Sequence, residues 1–331
     1  MNYVAPYWLP GGNLQTIWPA LYSRRTSGPR AQYRRERWTT PDADFIDVDW
    51  LQDSPGQTLV VMFHGLEGSS GSHYVEAMAE FARANSCAFV VPHFRGCSGE
   101  LNLGPRAYHS GDFEEIGWIL ARLRQQHGGP IVAVGVSLGG NALLRWAEEM
   151  GGQAARVVQA VASVSAPVDL AASGGEIGRG FNRLVYTRMF LNSMKPKALQ
   201  KLAQHPGLFN ADDLRGARNL YEFDNVFTAP LHGFKNTQDY WTRASAKPHL
   251  NQIRIPALLV NALNDPFVPA GSLPHPQDVG HHVTLWQPAQ GGHVGFAQGR
   301  WPGHLSAIPQ AVGQWLLSHI QISGTQEKLN G

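Results

Sequence analysis

The chain has 331 residues, of which 43% are hydrophobic, with a formal net charge of +2. This length and composition can bury a large core, and the near-neutral charge argues against nucleic acid as the main partner. Two cysteines, Cys87 and Cys97, are too few for a disulfide framework and fit a reducing cytoplasm. The sequence lacks metal-ligand spacing and a glycine-rich phosphate loop, which predicts no metal and no cofactor.

Residues 1–32 are predicted to form an N-terminal aromatic and basic extension. They contain neither a signal-peptide pattern nor an apolar run of roughly 18 residues, so we expect a cytoplasmic protein. One window has Glu36 as its only acid and six arginines: Arg24, Arg25, Arg30, Arg34, Arg35 and Arg37. This window is interpreted either as a solvated face or as a weak contact with anionic headgroups at the inner membrane face.

Apolar periodicity predicts a mostly parallel central sheet with helices on both faces, an α/β fold within a single domain of residues 1–331. Residues 33–38 and 45–50 are predicted to pair antiparallel. Further strands are predicted at 58–63, 87–92, 131–136, 157–164, 255–261 and 282–287. Helices are predicted near 73–85, 112–126, 138–150 and 309–320. The last residues, 323–331, are predicted to fray.

The predicted strand at 131–136 ends at a serine between two glycines, in the sequence GVSLG at 135–139. In a strand–turn–helix context this G-x-S-x-G pattern is typical of a nucleophile at a strained corner, where the hydroxyl leaves the sheet edge. The following helix directs its free N–H groups toward any negative charge that develops there. Ser137 is therefore the candidate nucleophile, although the same five residues are also typical of a tight turn after a buried strand.

A serine nucleophile needs a base and an orienting carboxylate. Asp265 and His293 each follow a predicted strand, so the order is Ser, Asp, His along one sheet edge. Asp169 is the alternative acid. Asp112 and Asp239 are expected to be solvated or capping residues.

The strand at 58–63 runs into the sequence HGLEG at 64–68. A loop in this position supplies one backbone N–H of an oxyanion hole, and the residue after the nucleophile supplies the other. Leu66 and Leu138 are the candidates for these two N–H groups. His64 is interpreted as a buried residue that fixes the loop, with proton transfer as the alternative.

Residues 170–250 interrupt the strand pattern, and a structureless loop of that length is improbable. The segment is predicted to be a helical lid, divided by Pro196, Pro206 and Pro230, whose inner face makes an acyl pocket over Ser137. The alternative is that its large apolar side chains only pack the lid onto the core. These side chains are Phe181, Leu184, Tyr186, Phe190, Tyr221, Phe223, Phe227, Phe234, Tyr240 and Trp241.

Eight sequence blocks carry a resemblance over nearly the whole chain. They are 14–19 (LQTIWP), 64–70 (HGLEGSS), 94–100 (FRGCSGE), 108–111 (YHSG), 135–141 (GVSLGGN), 228–234 (TAPLHGF), 265–267 (DPF) and 291–296 (GGHVGF). With these blocks the chain resembles the α/β-hydrolases, and within them the YheT-like family. That family is related to eukaryotic α/β-hydrolase-domain lipases and phospholipases and to yeast medium-chain ester synthases. The resemblance implies the α/β-hydrolase fold and matches Ser137, Asp265 and His293 to the charge-relay positions.

Two parts of the chain depart from the family pattern. The family has a glycine in its hairpin turn where this chain has Ala43. After the 108–111 block the family continues with a small polar residue and paired acids, whereas this chain has DFEE at 112–115.

The sequence thus predicts a cofactor-free serine hydrolase of carboxylic esters, acting on acyl lipids or medium-chain esters through an acyl-enzyme. One alternative is acyl transfer to an alcohol on the same three residues. An alternative from another class is a catalytically silent binding protein on the hydrolase scaffold. A dehalogenase or epoxide hydrolase is disfavoured. Those enzymes resemble this fold but have an aspartate at the corner, where this chain has Ser137.

Overall fold

A computed structural model describes residues 2–52 and 56–320, and the tail predicted at 323–331 lies outside them. Within those ranges the core is an eight-stranded sheet in the order β1-β2-β4-β3-β5-β6-β7-β8. The strands are β1 Arg34–Thr39, β2 Phe45–Gln52, β3 Leu59–Phe63, β4 Ala88–Pro92, β5 Ile131–Val136, β6 Ala160–Val164, β7 Ala257–Val260 and β8 Val283–Trp286. Strand β2 pairs antiparallel with β1 and β4, and β3 to β8 pair in parallel.

Helices cover both faces of the sheet. They are α1 Gly12–Leu21, α2 His73–Ala84, α3 Phe113–Gln126, α4 Leu138–Met150, α5 Leu170–Ile177, α6 Gly180–Asn182, α7 Arg188–Gln204, α8 Ala211–Gly216, α9 Leu220–Val226, α10 Thr228–Leu231, α11 Thr237–Ala244 and α12 Ala307–Ser318. In β3, Leu59, Val61 and Phe63 face the core under α3 and α4, whereas Val60 and Met62 face the core under α2 and α12. Because both faces are buried, the strand is apolar throughout instead of alternating.

The predicted start of β6 needs correction. Strand β6 begins at Ala160 and not at 157, because a 3₁₀ turn at Gly151–Arg156 precedes it. Val157 and Val158 contribute to the hydrophobic core without joining the sheet, so their apolar character alone did not identify a strand. At the β1–β2 hairpin Ala43 has φ 60°, a conformation that glycine adopts more easily, in line with the glycine expected there.

Residues 170–250 are mainly helical, from α5 to α11 and a 3₁₀ turn at Lys247–Gln252. The prediction that Pro196 divides this segment is wrong, because Pro196 lies inside α7. A proline removes one backbone hydrogen bond from a helix. Here the packing of the turns before and after Pro196 keeps α7 helical. None of the helices in the described ranges is both long and apolar enough to cross a bilayer.

Candidate active site

Ser137 lies at the corner between β5 and α4, with φ 52° and ψ −119°. A β-carbon on Gly135 would come 2.4 Å from the Gly139 carbonyl oxygen, and one on Gly139 would come 2.4 Å from that of His64. Only glycine fits at both positions, so the chain can turn sharply against the end of β3. The strained backbone at Ser137 is typical of functional corners.

Ser137, His293 and Asp265 form one chain of hydrogen bonds. His293 Nε2 lies 3.0 Å from Ser137 Oγ, and His293 Nδ1 lies 2.9 Å from Asp265 Oδ2. The carboxylate accepts a hydrogen bond from Nδ1–H, which leaves Nε2 as the acceptor of a hydrogen bond from the serine hydroxyl. Asp265 is 6% exposed and His293 9% exposed. The structure therefore brings together three residues that are far apart in sequence.

The backbone around the acid also holds it in place. Asp265 Oδ1 accepts hydrogen bonds from the N–H groups of Phe267, at 2.7 Å, and Val268, at 3.3 Å. The ring of Phe267 packs on the His293 ring, with centroids 4.1 Å apart. Both oxygens of the carboxylate thus have partners, and the imidazole is held from the side as well as through Nδ1.

The other acids have different structural roles. Asp169 caps α5, because its side chain accepts from the N–H of Ala172 at 3.0 Å. Asp239 lies at the start of α11 and accepts from the N–H of Lys235. Asp112 caps α3 and is buried beside Arg106, so of the two expected roles, solvated or capping, the structure shows the capping one. Burial raises the pKa of Asp112.

His64 is fully buried, and both of its ring nitrogens have partners. Nδ1 donates to the Gly65 carbonyl oxygen at 2.8 Å, and Nε2 accepts from the N–H of Phe94 at 3.1 Å. Burial lowers the pKa of His64 to about 3, so the ring is neutral. This arrangement fits a histidine that fixes the loop after β3 and leaves no free nitrogen for proton transfer.

Two backbone N–H groups beside Ser137 are free. Among the described residues, those of Leu66 and Leu138 find no acceptor. By contrast, Gly65 donates to the Tyr74 hydroxyl at 2.8 Å and Glu67 to that of Tyr108 at 2.9 Å. A β-carbon on Gly65 would come within 3.2 Å of the Ser137 β-carbon, so the loop and the serine are in close contact. Free donors at this position suit an oxyanion.

Helix α1 supports the histidine loop, a role that the sequence analysis missed. Thr16 Oγ1 accepts from the N–H of His293 at 2.8 Å. Gln15 Oε1 accepts from the N–H of Gly291 and from Asn264 Nδ2, both at 2.9 Å. Gln15 is 1% exposed, and its Nε2 donates to the Leu9 carbonyl oxygen. The signal in the sequence was a polar Gln-Thr pair between the apolar residues Leu14 and Ile17.

Ser137 and His293 lie in the wall of a cavity of about 170 Å³. Residues 170–250 supply much of its apolar wall, including Leu170, Ile177, Phe190, Met194, Ala198, Leu220, Phe223, Phe227 and Trp241. The cavity thus places an apolar surface opposite a polar reacting group, which is the usual composition of a small-molecule site.

Lys201 and Asp224 are among the titratable side chains that line the cavity. Lys201 is 2% exposed and its Nζ donates to the carbonyl oxygens of Asn102 and Gly104, both at 2.6 Å, and burial lowers its pKa to about 8. Asp224 accepts from Thr228 Oγ1 at 2.6 Å and from Trp241 Nε1 at 2.9 Å, and burial raises its pKa to about 6. These bonds hold the walls of the cavity together.

Neither metal chemistry nor a second nucleophile is indicated in residues 2–52 and 56–320. No group of three His, Cys, Asp or Glu side chains in that part of the chain could hold a metal ion. Cys97 is buried, and burial raises the pKa of its thiol to about 12, so it stays protonated and serves in packing.

A mostly parallel sheet with a serine at a strand–helix corner, and with Asp and His beyond later strands, defines an α/β hydrolase. The chain belongs to the alpha/beta hydrolase fold family, whose sequence model matches residues 58–299. The fold class and the family resemblance expected from the sequence are therefore confirmed.

Relatives of known name place the chain among esterases and lipases. It is 38% identical over 316 residues to YheT of Escherichia coli (strain K12), which bears an esterase name, covering 93% of this chain and 91% of YheT. It is 28% identical to the phospholipase ABHD3 of Mus musculus, covering 89% and 74% of the two chains. It is 27% identical to a monoacylglycerol lipase of Saccharomyces cerevisiae, covering 81% and 60%. The chain is thus an enzyme of the esterase and lipase type.

Solved structures agree on the fold. The esterase Pf2001 of Pyrococcus furiosus superposes with a TM-score of 0.52 at 16% identity, covering 89% of this chain and 96% of that one. The alpha/beta hydrolase domain-containing protein 10 from mouse superposes with a TM-score of 0.54 at 14% identity, covering 86% and 99%.

Proposed function

We propose that this protein hydrolyses carboxylic esters of acyl lipids or medium-chain alcohols through an acyl-enzyme on Ser137. The observation that carries the proposal is the hydrogen-bonded chain from Ser137 through His293 to Asp265, in the wall of an apolar cavity. The relatives named as phospholipase and monoacylglycerol lipase support a lipid ester as substrate.

In the first half of the reaction, Ser137 Oγ attacks the carbonyl carbon of the ester while its proton passes to His293 Nε2. Asp265 stabilises the resulting imidazolium through Nδ1. The carbonyl oxygen becomes an oxyanion and accepts hydrogen bonds from the backbone N–H groups of Leu66 and Leu138. When the carbon–oxygen bond to the alcohol breaks, Nε2 returns the proton to the departing alcohol.

In the second half, water attacks the acyl carbon and gives its proton to His293 Nε2. The second tetrahedral intermediate collapses, the acid leaves, and Nε2 returns the proton to Ser137 Oγ. If an alcohol takes the place of water, the product is a new ester. Acyl transfer is therefore an alternative outcome of the same steps.

We propose that residues 170–250 act as the lid and hold the acyl chain. Each methylene that leaves water contributes about 0.8 kcal/mol, roughly a fourfold gain. The value of kcat/KM for p-nitrophenyl esters is expected to rise several-fold per carbon from acetate, and then to reverse in the medium-chain range. A steady decline from acetate onward would contradict the lipid-ester proposal.

A pair of variants on α7 makes this test specific. Ala198 lies in the cavity wall, and Ala198→Leu is expected to move the reversal to shorter chains while acetate ester hydrolysis is retained. Gln200→Leu places the same side chain on the exposed part of α7 and should leave the profile unchanged. The same assays with an added medium-chain alcohol reveal any new ester, and a silent binding protein would give no product at all.

Gln15 is proposed as a positioning residue for His293. Gln15→Leu removes the acceptor of the Gly291 N–H and of Asn264 Nδ2, so the histidine loop loses its support. A misplacement of about 1 Å costs up to about 10² in rate, so kcat is expected to fall roughly tenfold to a hundredfold with KM nearly unchanged.

Two further variants control for a general loss of stability. Gln15→Glu keeps the acceptor oxygens and should recover part of kcat. Gln314→Leu, on the exposed face of α12, should have wild-type kinetics. A rise in KM with unchanged kcat in Gln15→Leu would show that α1 affects substrate binding and not the histidine.

A further inference from the structure

One exposed surface of the helical segment from α6 to α7 is both apolar and basic. Phe181, Leu184 and Met189 are 52%, 73% and 54% exposed. Exposed arginines alternate with them at Arg179, Arg183 and Arg188. We call these six residues the docking surface.

Among the described residues the positive charge of this segment is only partly compensated, because Lys197 pairs with Glu67 at 2.9 Å while the three arginines of the docking surface stay unpaired. Residues 177–211 contain six lysines and arginines and no aspartate or glutamate. In the part of the chain that the structure describes, Arg179, Arg183 and Arg188 form no ion pair. Their guanidinium groups are available to an anionic partner.

The basic N-terminal window differs in this respect. Arg25 pairs with Glu76 at 3.1 Å, and within the β1–β2 hairpin Arg35 pairs with Asp49 at 2.7 Å. Arg37 makes the equivalent pair with Asp47 at 2.8 Å. These carboxylates compensate much of the charge of this window, which the sequence left open as either a solvated face or a weak contact with anionic headgroups. The docking surface is therefore the stronger candidate for a membrane contact.

The docking surface is joined to the candidate active site. Met189 faces solvent, and its neighbour Phe190 lines the cavity. Tyr186 donates a hydrogen bond to Asn13 Oδ1 in α1 at 2.9 Å, and Asn182 Nδ2 donates to the Pro266 carbonyl oxygen at 2.6 Å. These bonds anchor the segment to the helix and loop that support His293 and Asp265.

We propose that the docking surface binds an anionic lipid bilayer. The apolar side chains enter the headgroup region while the arginines contact lipid phosphates, the arrangement of interfacial helices. A second copy of the chain is a poor occupant, because a twofold contact would bring the uncompensated arginines of both copies together. Membrane binding at this position would present the cavity to esters in the bilayer.

Co-sedimentation with vesicles tests the proposal. A larger fraction of the protein is expected to sediment with vesicles of phosphatidylcholine and phosphatidylglycerol than with vesicles of phosphatidylcholine alone. Added salt should reduce this difference in the bound fraction. Each arginine near an anionic surface contributes about fivefold, the equivalent of about 1 kcal/mol. The triple change Arg179→Gln, Arg183→Gln and Arg188→Gln should therefore lower partitioning roughly a hundredfold.

Matched variants distinguish the contribution of the docking surface to vesicle binding from the effect of total charge or total hydrophobicity. The triple change Arg24→Gln, Arg30→Gln and Arg34→Gln alters the net charge equally and should lower partitioning only a few-fold. Leu184→Ser with Met189→Ser should weaken binding to vesicles. Leu21→Ser, at a position 63% exposed in α1, should not. Hydrolysis of a short water-soluble ester confirms that each variant is folded.

Three results would overturn the proposal: no binding of the wild-type protein to vesicles, a larger loss from the N-terminal triple change, or a wild-type dimer in sedimentation velocity that Leu184→Ser dissociates. Vesicle binding requires no turnover and can be measured on Ser137→Ala protein. Failure here therefore leaves the proposed hydrolysis untouched, and failure of the hydrolysis leaves this proposal standing.

Discussion

Ser137→Ala protein is expected to lose ester hydrolysis by a factor on the order of 10⁶ in kcat, the loss found when the serine of such a triad is removed. Without Oγ no acyl-enzyme forms, and a fluorophosphonate should no longer label the protein. The fold should persist, because alanine meets the positive φ at this corner at about the same cost as serine. Mass spectrometry of the labelled wild-type protein should place the adduct on Ser137.

Ser110 provides a matched control. It also lines the cavity, but its hydroxyl accepts a hydrogen bond from Asn141 Nδ2 at 3.1 Å and it does not lie at the corner. Ser110→Ala should keep most of the labelling. Full labelling of Ser137→Ala protein, on Ser110 or on another serine, would refute the assignment of the nucleophile.

Asp265→Asn is expected to lower kcat by about 10⁴, because the imidazole then takes the wrong tautomer and cannot accept the serine proton. The asparagine oxygen can still accept from the N–H groups of Phe267 and Val268, so the loop around residue 265 should be retained. Fluorophosphonate labelling should slow in parallel with hydrolysis, since both depend on the activated serine.

Asp169→Asn is the comparison variant for the acid. Asparagine caps a helix about as well as aspartate, so α5 should keep its cap and kcat should change little. If Asp169→Asn lost more activity than Asp265→Asn, the orienting acid would have to be reassigned to Asp169.

Much of the fold followed from local sequence patterns. The apolar runs placed β3, β4 and β5 to within one residue, because strands buried on both faces are apolar throughout. The start of strand β6 was misplaced by three residues, since Val158, which is buried, and Val157, which is partly buried, pack on the core without joining the sheet. The helical form of residues 170–250 was expected, but the continuity of α7 through Pro196 was not, because packing outweighed a local helix-breaking preference.

The sequence by itself determined the parts of the candidate site that depend on local chemistry. Glycines on both sides of Ser137 dictate a corner that larger residues could not form. The acid and the histidine follow predicted strands, and the carboxyl ends of parallel strands share one edge of the sheet. Their identities and order were therefore readable without any knowledge of long-range contacts.

Only the tertiary structure decided how distant residues act on one another. The bonds from Gln15 and Thr16 to the histidine loop join positions more than 270 residues apart, and no periodicity encodes such a pairing. Likewise, carboxylates on other elements compensate Arg25 and Arg35, whereas Arg183 pairs with no carboxylate of residues 2–52 and 56–320. The composition gives only the number of charged side chains. Their electrostatic free energy depends on the distances between the charges and on their burial, and folding determines both.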